Sequence, residues 1–299
     1  MPLPTPLSPQ IHLYFCPLLP SAIDDNVAKT IRSWLPQDEL DKVDRYIQQS
    51  AQVQGLMVRG YLRAILSQHS KLTPDEWQFA YGAKGKPALT PAQFALTGID
   101  FNLSHSGDWL LLAVYRQPLQ PRMLPIELGV DIERCRSNTN IHSILNHYFS
   151  EPETTALLAL PKDLQRDRFF DLWALKESYI KAKGLGLALS LKSFGFDLSA
   201  ILKTELTLAS SQAVPATLLQ SGLTEQMLLK QRVDLHLYTE PSAKGDNVEA
   251  NKADTWQCIL GHLDDDYRFA LSVNGQAIAD ASIEYQAQAC NIHNLVLEV

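Results

Sequence analysis

Residues 107–114 read GDWLLLAV and residues 265–273 read DDYRFALSV, and this echo bears most directly on the fold. In each stretch acidic residues lead into an apolar run of the kind that forms a buried strand. Any two amphipathic strands show such a likeness, so chance explains it as readily as duplication does. If it marks a duplication, the chain consists of two similar halves, with the break near residues 116–127.

Helical and extended patterns alternate around this echo. The predicted helices span residues 24–35, 38 to about 69, 141–148, 152–160 and 163–183, and the predicted strands span 11–19, 100–103, 109–115, 128–133, 193–198, 233–238, 256–261 and 267–273. Gly55 and Gly60 allow a break in the second helix. We therefore expect an α+β fold of two similar α/β halves related by a pseudo-twofold axis, each a small, mainly antiparallel sheet packed on helices. The halves are predicted at residues 1–120 and 126–299.

The bulk composition is that of a globular protein. Of the 299 residues 45% are hydrophobic, which is ample for one large core or two modest ones. A net charge of −7 argues against a global cationic field for nucleic acid or anionic lipid. The four cysteines are widely spaced, which favours neither a zinc site nor a disulfide framework. With no signal-peptide pattern and no long apolar stretch, we expect a soluble cytoplasmic protein without a membrane partner.

Two acidic residues share one face of a predicted strand. Residues 129–133 read GVDIE, so strand alternation places Asp131 and Glu133 together and Val130 and Ile132 on the other face. Neighbouring carboxylates raise each other's pKa unless a cation lies between them. A hard divalent ion such as Mg²⁺ suits these oxygen ligands. An ordinary solvated strand face is the commoner explanation for such a stretch by itself.

The helix predicted over residues 163–183 carries an unusual stripe. Phe170, Trp173, Glu177 and Lys181 recur at helical spacing, so large aromatics are followed by an acid and a base. A Glu–Lys pair on the surface explains the last two residues. Alternatively, the helix enters a site in which Glu177 provides a third metal carboxylate and Lys181 meets an anionic substrate.

Two further stretches have the chemistry of phosphate binding. Residues 101–107, FNLSHSG, place two serines and His105 in a predicted turn between strands, where a plain polar turn is the alternative. A Ser–His nucleophile is a competing interpretation, but the G-x-S-x-G pattern is missing. Gly85-Lys86-Pro87 combines close backbone approach with a positive charge, without satisfying the Walker pattern.

Taken in order, the motifs G-K-P, F-N-L-S-H-S, G-V-D-I-E and W-A-L-K-E-S-Y-I-K-A-K-G resemble those of the 4′-phosphopantetheinyl transferases, in their larger surfactin-type (Sfp-like) class. The match covers about residues 81–196, and residues 147–153, HYFSEPE, add to it. The resemblance implies transfer of 4′-phosphopantetheine from coenzyme A to a serine of an apo acyl or peptidyl carrier protein, with release of 3′,5′-ADP.

The resemblance also assigns roles to single residues. It implies that Mg²⁺ is held by Asp131, Glu133 and Glu177, and that Glu177 and Lys181 are catalytic. The residues implied to bind coenzyme A are Arg63, Lys86, Pro87, Ser104, His105 and Lys181. The family docks acidic carriers just after the K-E helix, which here means residues 184–196 with Lys183 and Lys192 nearby.

One stretch departs from the family pattern. Where members carry a basic cluster, residues 48–54 read QQSAQVQ, flanked by Arg45 and Arg59. The group that holds the 3′-phosphate therefore stays open, and an inactive carrier-binding module is one alternative. A metal-dependent phosphodiesterase using the same carboxylates is another. We expect a monomer, because two similar halves in one chain are self-sufficient, and a polar surface insertion at residues 240–255.

Overall fold

The computed structural model describes residues 8–19, 23–120, 124–210, 226–238, 250–276, 278 and 282–299. The helices are α1 (Asp25–Trp34), α2 (Gln37–Asp44), α3 (Gln49–Gln68), α4 (Pro91–Thr97), α5 (Ile141–Tyr148), α6 (Glu151–Leu158), α7 (Lys162–Lys183) and α8 (Ile292–Glu298). The strands are β1 (Gln10–Pro17), β2 (Phe79–Tyr81), β3 (Pro87–Leu89), β4 (Ile99–Ser106), β5 (Trp109–Arg116), β6 (Glu127–Arg134), β7 (Phe194–Asp197), β8 (Leu202–Ser210), β9 (Gln226–Gln231), β10 (Asp234–Tyr238), β11 (Ala250–Lys252), β12 (Gln257–His262), β13 (Tyr267–Asn274) and β14 (Glu284–Ala289). The predicted mixture of helices and strands is confirmed. No helix in these ranges is long and apolar enough to cross a membrane.

Nine of the strands form one sheet in the order β4-β5-β1-β14-β8-β9-β12-β13-β6. Among the strands of the described ranges, only the pairs β1–β14 and β14–β8 are parallel. The sheet begins with the hairpin β4–β5 beside β1 and ends with the hairpin β12–β13 beside β6, so each half pairs its hairpin with its own first strand. The sequence echo falls on β5 and β13, which hold equivalent places in this order. The pseudo-twofold relation itself stays a prediction.

Each face of the sheet packs into a different core, which explains the unbroken apolar run of β5. Leu111 and Ala113 lie in a core enclosed by the sheet itself, while Leu112 and Val114 pack against α1 and α3. A third core lies between α5, α6, α7 and the strands β7, β10 and β12. A strand that is buried on both faces loses the alternation of a half-exposed strand.

The predicted long helix is broken elsewhere than expected. Instead of a break at a glycine, α2 ends at Asp44 and α3 begins at Gln49. Gly60 lies inside α3, where a Cβ would come within 2.7 Å of Ile31 Cδ1. The glycine therefore lets α1 pack closely on α3. Gly55 likewise faces the ring of Tyr46. Both glycines serve helix packing.

The other helix ends follow local capping. Ser150 forms a capping box with Glu153 at the start of α6, as its sequence position predicts. The helix α7 ends at Gly184, which has the left-handed φ of 65° that glycine tolerates best. Strand β4, in contrast, continues to Ser106, so Ser104 and His105 lie on a strand and the predicted turn is shorter than expected.

The end of the chain returns to the first half. Strand β14 pairs with β1 in parallel, and α8 contacts α1 and α3. The division into halves at residues 1–120 and 126–299 thus stays a prediction. The last strand and helix of the second range pack against elements of the first. Residues 240–249 of the predicted insertion lie outside the described residues. Residues 250–252 form strand β11, which pairs with β10.

Candidate active site

The ends of the long sheet, β4 and β6, lie side by side, and α7 packs on β6 and β13. Side chains of β4 reach the backbone of β6: Asn102 Oδ1 accepts from Val130 N at 2.9 Å, and Ser106 Oγ accepts from Arg134 N at 3.2 Å. On β6, a Cβ at Gly129 would overlap the Ser178 carbonyl oxygen on α7. The glycine therefore lets α7 approach β6 closely and brings residues of both elements together.

Asp131 lies at the centre of this seam and is 1% exposed. Lys181 Nζ, from α7, donates to Asp131 Oδ1 at 2.6 Å and to Ser104 Oγ at 2.5 Å. Ser104 Oγ donates to the same carboxylate oxygen at 2.8 Å. The structure thus joins three predicted site residues from three different elements.

The other two acids lie beside Asp131. Glu133 accepts from Trp173 Nε1 and Ser106 Oγ, each at 3.3 Å. Desolvation and the charge of Asp131 raise the pKa of Glu133 to about 7, and the same two causes raise the pKa of Glu177. Burial also raises the pKa of Asp131, although Lys181 opposes the shift. A cation among these carboxylates would relieve both effects.

The donor chemistry of the three acids fits a hard divalent cation such as Mg²⁺. Asp131 Oδ2 is buried and has no hydrogen-bond partner, so it is available as a ligand. Carboxylate oxygens are the ligands that Mg²⁺ prefers. Within the described ranges, no group of three acidic, histidine or cysteine side chains is arranged to hold a metal as the structure stands. Lys181 Nζ lies 2.6 Å from Asp131 Oδ1 in this arrangement.

Lys86 lies at the same seam but points inward. Its Nζ donates to the carbonyl oxygens of Leu128 at 3.0 Å and of Ala182 at 2.9 Å, so it ties β3 to β6 and α7. Desolvation lowers the pKa of Lys86 to about 8. Beside it a cavity of about 710 Å³ opens, lined by Pro87 and by Asp100, whose pKa burial raises to about 7. Lys86 and Pro87 therefore border a space large enough for part of a ligand.

The two remaining residues predicted to contact coenzyme A, His105 and Arg63, differ in their exposure to solvent. His105 is exposed near the outer end of β4, next to Ser104. Arg63 is 1% exposed, and its guanidinium donates to Glu39 Oε1 at 2.7 Å and to the carbonyls of Pro74 and Trp77 at 2.9 and 3.0 Å. These partners give Arg63 a structural role and argue against its predicted contact with coenzyme A.

The sequence interpretation named Ser104 as a contact of coenzyme A, but it missed the role of β4 in holding the seam together. Asp100, Asn102, Ser104 and Ser106 all point from β4 towards residues 126–134. The signal was present, because polar residues occupy every second position of this strand. It was overlooked because the predicted strand stopped at Leu103.

The predicted docking segment follows α7. Leu185 and Leu187 are exposed there, at 45% and 73%, and Lys192 is exposed as well. Lys183 is already paired with Glu127 at 2.7 Å. The end of the segment is fixed by Lys176, which is fully buried and donates to the carbonyls of residues 191 and 194 and to a carboxylate of α6. The segment thus presents an apolar surface on a fixed base.

Comparison with known proteins identifies the family of this site. Residues 127–230 match the 4′-phosphopantetheinyl transferase superfamily, and residues 24–117 match a family described as 4′-phosphopantetheinyl transferase, N-terminal. The chain is 33% identical over 186 residues to the 4′-phosphopantetheinyl transferase HetI of Nostoc sp., which is 62% of this chain and 73% of HetI. It is 32% identical over 162 residues to Sfp of Bacillus subtilis, 54% of this chain and 66% of Sfp. It is 30% identical over 179 residues to gsp of Aneurinibacillus migulanus, 60% of this chain and 68% of gsp.

Proposed function

Since the chain belongs to the 4′-phosphopantetheinyl transferase family, we propose that it transfers 4′-phosphopantetheine from coenzyme A to a serine of an apo acyl or peptidyl carrier protein in a Mg²⁺-dependent reaction. The observation that carries the proposal is the cluster of Asp131, Glu133 and Glu177 around Lys181. Three acids and one lysine, enclosed between two halves of a protein, suit the binding of a pyrophosphate together with a cation.

In the proposed reaction, the oxygen of the carrier serine forms a bond to the phosphorus that bears pantetheine. The bond from this phosphorus to the leaving 3′,5′-ADP breaks, and Glu177 accepts the serine proton. Burial and the charge of Asp131 raise the pKa of Glu177, which makes its carboxylate a stronger base. Lys181 binds the phosphate oxygens, and Ser104 and His105 add donors beside it.

Asp131, Glu133 and Glu177 would hold the Mg²⁺, which supplies neutralisation of pyrophosphate charge when bound. The pantetheine arm then extends towards the carrier, which we place on the exposed leucines and Lys192 after α7. We further propose a cytoplasmic monomer with two halves related by a pseudo-twofold axis and no nucleic-acid or membrane partner. The net charge of −7 and the two paired hairpins support this description.

The direct test uses coenzyme A labelled in its phosphopantetheine part and measures transfer of the label to apo carrier proteins, with a panel from fatty-acid, polyketide and peptide systems. We expect label on at least one carrier, and a loss of about 10²–10⁴-fold in Glu177→Gln, the usual contribution of a general base. Glu205→Gln is the matched control, because Glu205 is exposed on β8.

Three outcomes would count against the proposal. Full turnover by Glu177→Gln would remove its assigned role. Absence of label on every carrier, together with hydrolysis of a phosphodiester, would favour the phosphodiesterase alternative. Binding of carriers without transfer would favour an inactive module. Circular dichroism of both variants shows whether the fold is kept.

A further inference from the structure

The ammonium group of Lys181 occupies the centre of the carboxylate cluster. It donates to Asp131 Oδ1 at 2.6 Å and to Ser104 Oγ at 2.5 Å. One side-chain cation therefore neutralises the carboxylate that the proposed function assigns to Mg²⁺.

The two partners of this ion pair differ in their freedom to move. The side chain of Asp131 is 2% exposed, whereas that of Lys181 is 30% exposed. A buried, ionised carboxylate without a counter-charge is strongly unfavourable, so a nearby cation stabilises the ionised form of Asp131. Lys181 has a route to solvent and a flexible four-carbon stem, so it is the partner that leaves.

The pair also leaves Asp131 only half satisfied. Oδ1 accepts two hydrogen bonds, while Oδ2 is buried and has no partner. A lysine is a single point charge, whereas a divalent cation takes several oxygen ligands at once. Lys181 therefore neutralises the charge of Asp131, while Oδ2 is still available as a metal ligand.

We infer that Lys181 is an internal counterion of Asp131 in the free protein, and that it competes there with a divalent cation. The inference rests on the proposed function, because coenzyme A is the anionic ligand that draws Lys181 away. Lys181 moves from Asp131 to the phosphates of coenzyme A. The carboxylate of Asp131 is then free to bind the metal. Metal and coenzyme A consequently strengthen each other's binding through Lys181, beyond any contact between the two ligands.

The test measures binding of Mn²⁺ from the electron paramagnetic resonance signal of the free ion, with and without saturating coenzyme A. Lys181→Met keeps the stem and removes the charge. Without coenzyme A, we expect it to bind Mn²⁺ about 5- to 150-fold more tightly than the natural protein, the ordinary range of a coupling between sites. Lys183→Met is the matched control, because this lysine lies on the same helix but pairs with Glu127. It should bind Mn²⁺ like the natural protein.

A second expectation concerns coenzyme A. It should strengthen Mn²⁺ binding by a larger factor in the natural protein than in Lys181→Met, since the variant has no lysine to displace. Equal Mn²⁺ affinities in Lys181→Met and the natural protein would overturn the inference while leaving the proposed function intact. If none of the three proteins binds Mn²⁺ or coenzyme A, the proposed function falls and the inference falls with it.

Discussion

The carboxyl group of Asp100 lies in the cavity beside Lys86, and desolvation raises its pKa to about 7. Hydrogen bonds from Ile126 N and Gln117 Nε2, both at 3.3 Å, oppose the shift without cancelling it. Because this pKa lies above the unfolded value of 3.8, the folded protein holds the proton more tightly than the unfolded chain. The resulting stability is fully present below about pH 4 and is lost as the pH rises towards 7.

Asp100→Asn removes this dependence, because an amide does not ionise. Relative to the natural protein, the free energy of unfolding of the variant should rise by about 1–3 kcal/mol between pH 5 and pH 8. Urea unfolding at both pH values measures the difference. Asp265→Asn, which changes an exposed carboxyl, should follow the natural protein at both. A constant difference between Asp100→Asn and the natural protein would contradict the assigned pKa.

At the residue scale, the functional roles that the sequence suggests depend on whether each side chain is buried in the fold. Strand alternation and helical spacing placed Asp131, Glu133 and Lys181 on facing surfaces, and the structure brings them together. The same periodicities do not tell which surface of α3 faces the core. Arg63 is buried because Glu39, 24 residues earlier, neutralises it, and such a distant partner has no local sequence signature.

At the scale of elements, the site depends on how closely α7 approaches β6. Gly129 permits the approach, since a Cβ there would overlap the Ser178 carbonyl oxygen and the Ala182 nitrogen. Both obstacles are backbone atoms of the last two turns of α7, which do not move aside as a side chain does. The glycine of the G-V-D-I-E motif therefore sets the distance between the acids on the strand and those on the helix.

Gly129→Ala should push α7 away from β6 and separate Glu177 and Lys181 from Asp131. We expect a loss of about 1–3 kcal/mol in the free energy of unfolding, as for other overpacked positions, and a larger relative loss of transfer activity. Gly82→Ala is the control, because its Cβ would meet only the Lys86 carbonyl oxygen at 3.7 Å. Natural activity in Gly129→Ala would show that the distance between the elements is not critical.

Element identity was largely predictable, but element boundaries depended on distant packing. The apolar spacing of α7 and the glycine that ends it are local signals, so this helix was predicted to within one residue. In α3, two glycines suggested a break that packing against α1 and Tyr46 makes unnecessary. Similarly, β4 continues past Leu103 because Ser104 and Ser106 find partners on β6, and a strand of alternating polar residues forms only when those partners are present.

At the scale of the molecule, strand order could not be read from the sequence. The β1–β14 pair joins residues about 270 positions apart, as Gln10 pairs with Glu284. The echo falls on β5 and β13, which hold equivalent places in the strand order, yet it says nothing about β14 and α8, which come from the end of the chain and pack against the first half. Ile292 and Leu295 on α8 lie in the same core as α3. The stability of the first half therefore depends on the last residues of the chain.

This dependence predicts that a change near the C-terminus loosens the N-terminal helices. Leu295 is 3% exposed against α3 and α1, whereas Leu297 on the same helix is 85% exposed. Leu295→Ala should lower the free energy of unfolding by about 2–5 kcal/mol, the range for a buried leucine, and Leu297→Ala should leave it nearly unchanged. Hydrogen exchange should accelerate in α3 more than in α7, because α8 packs on α3. Equal acceleration in both helices would mean that the two halves open together, and no acceleration in α3 would mean that α8 contributes nothing to the first half.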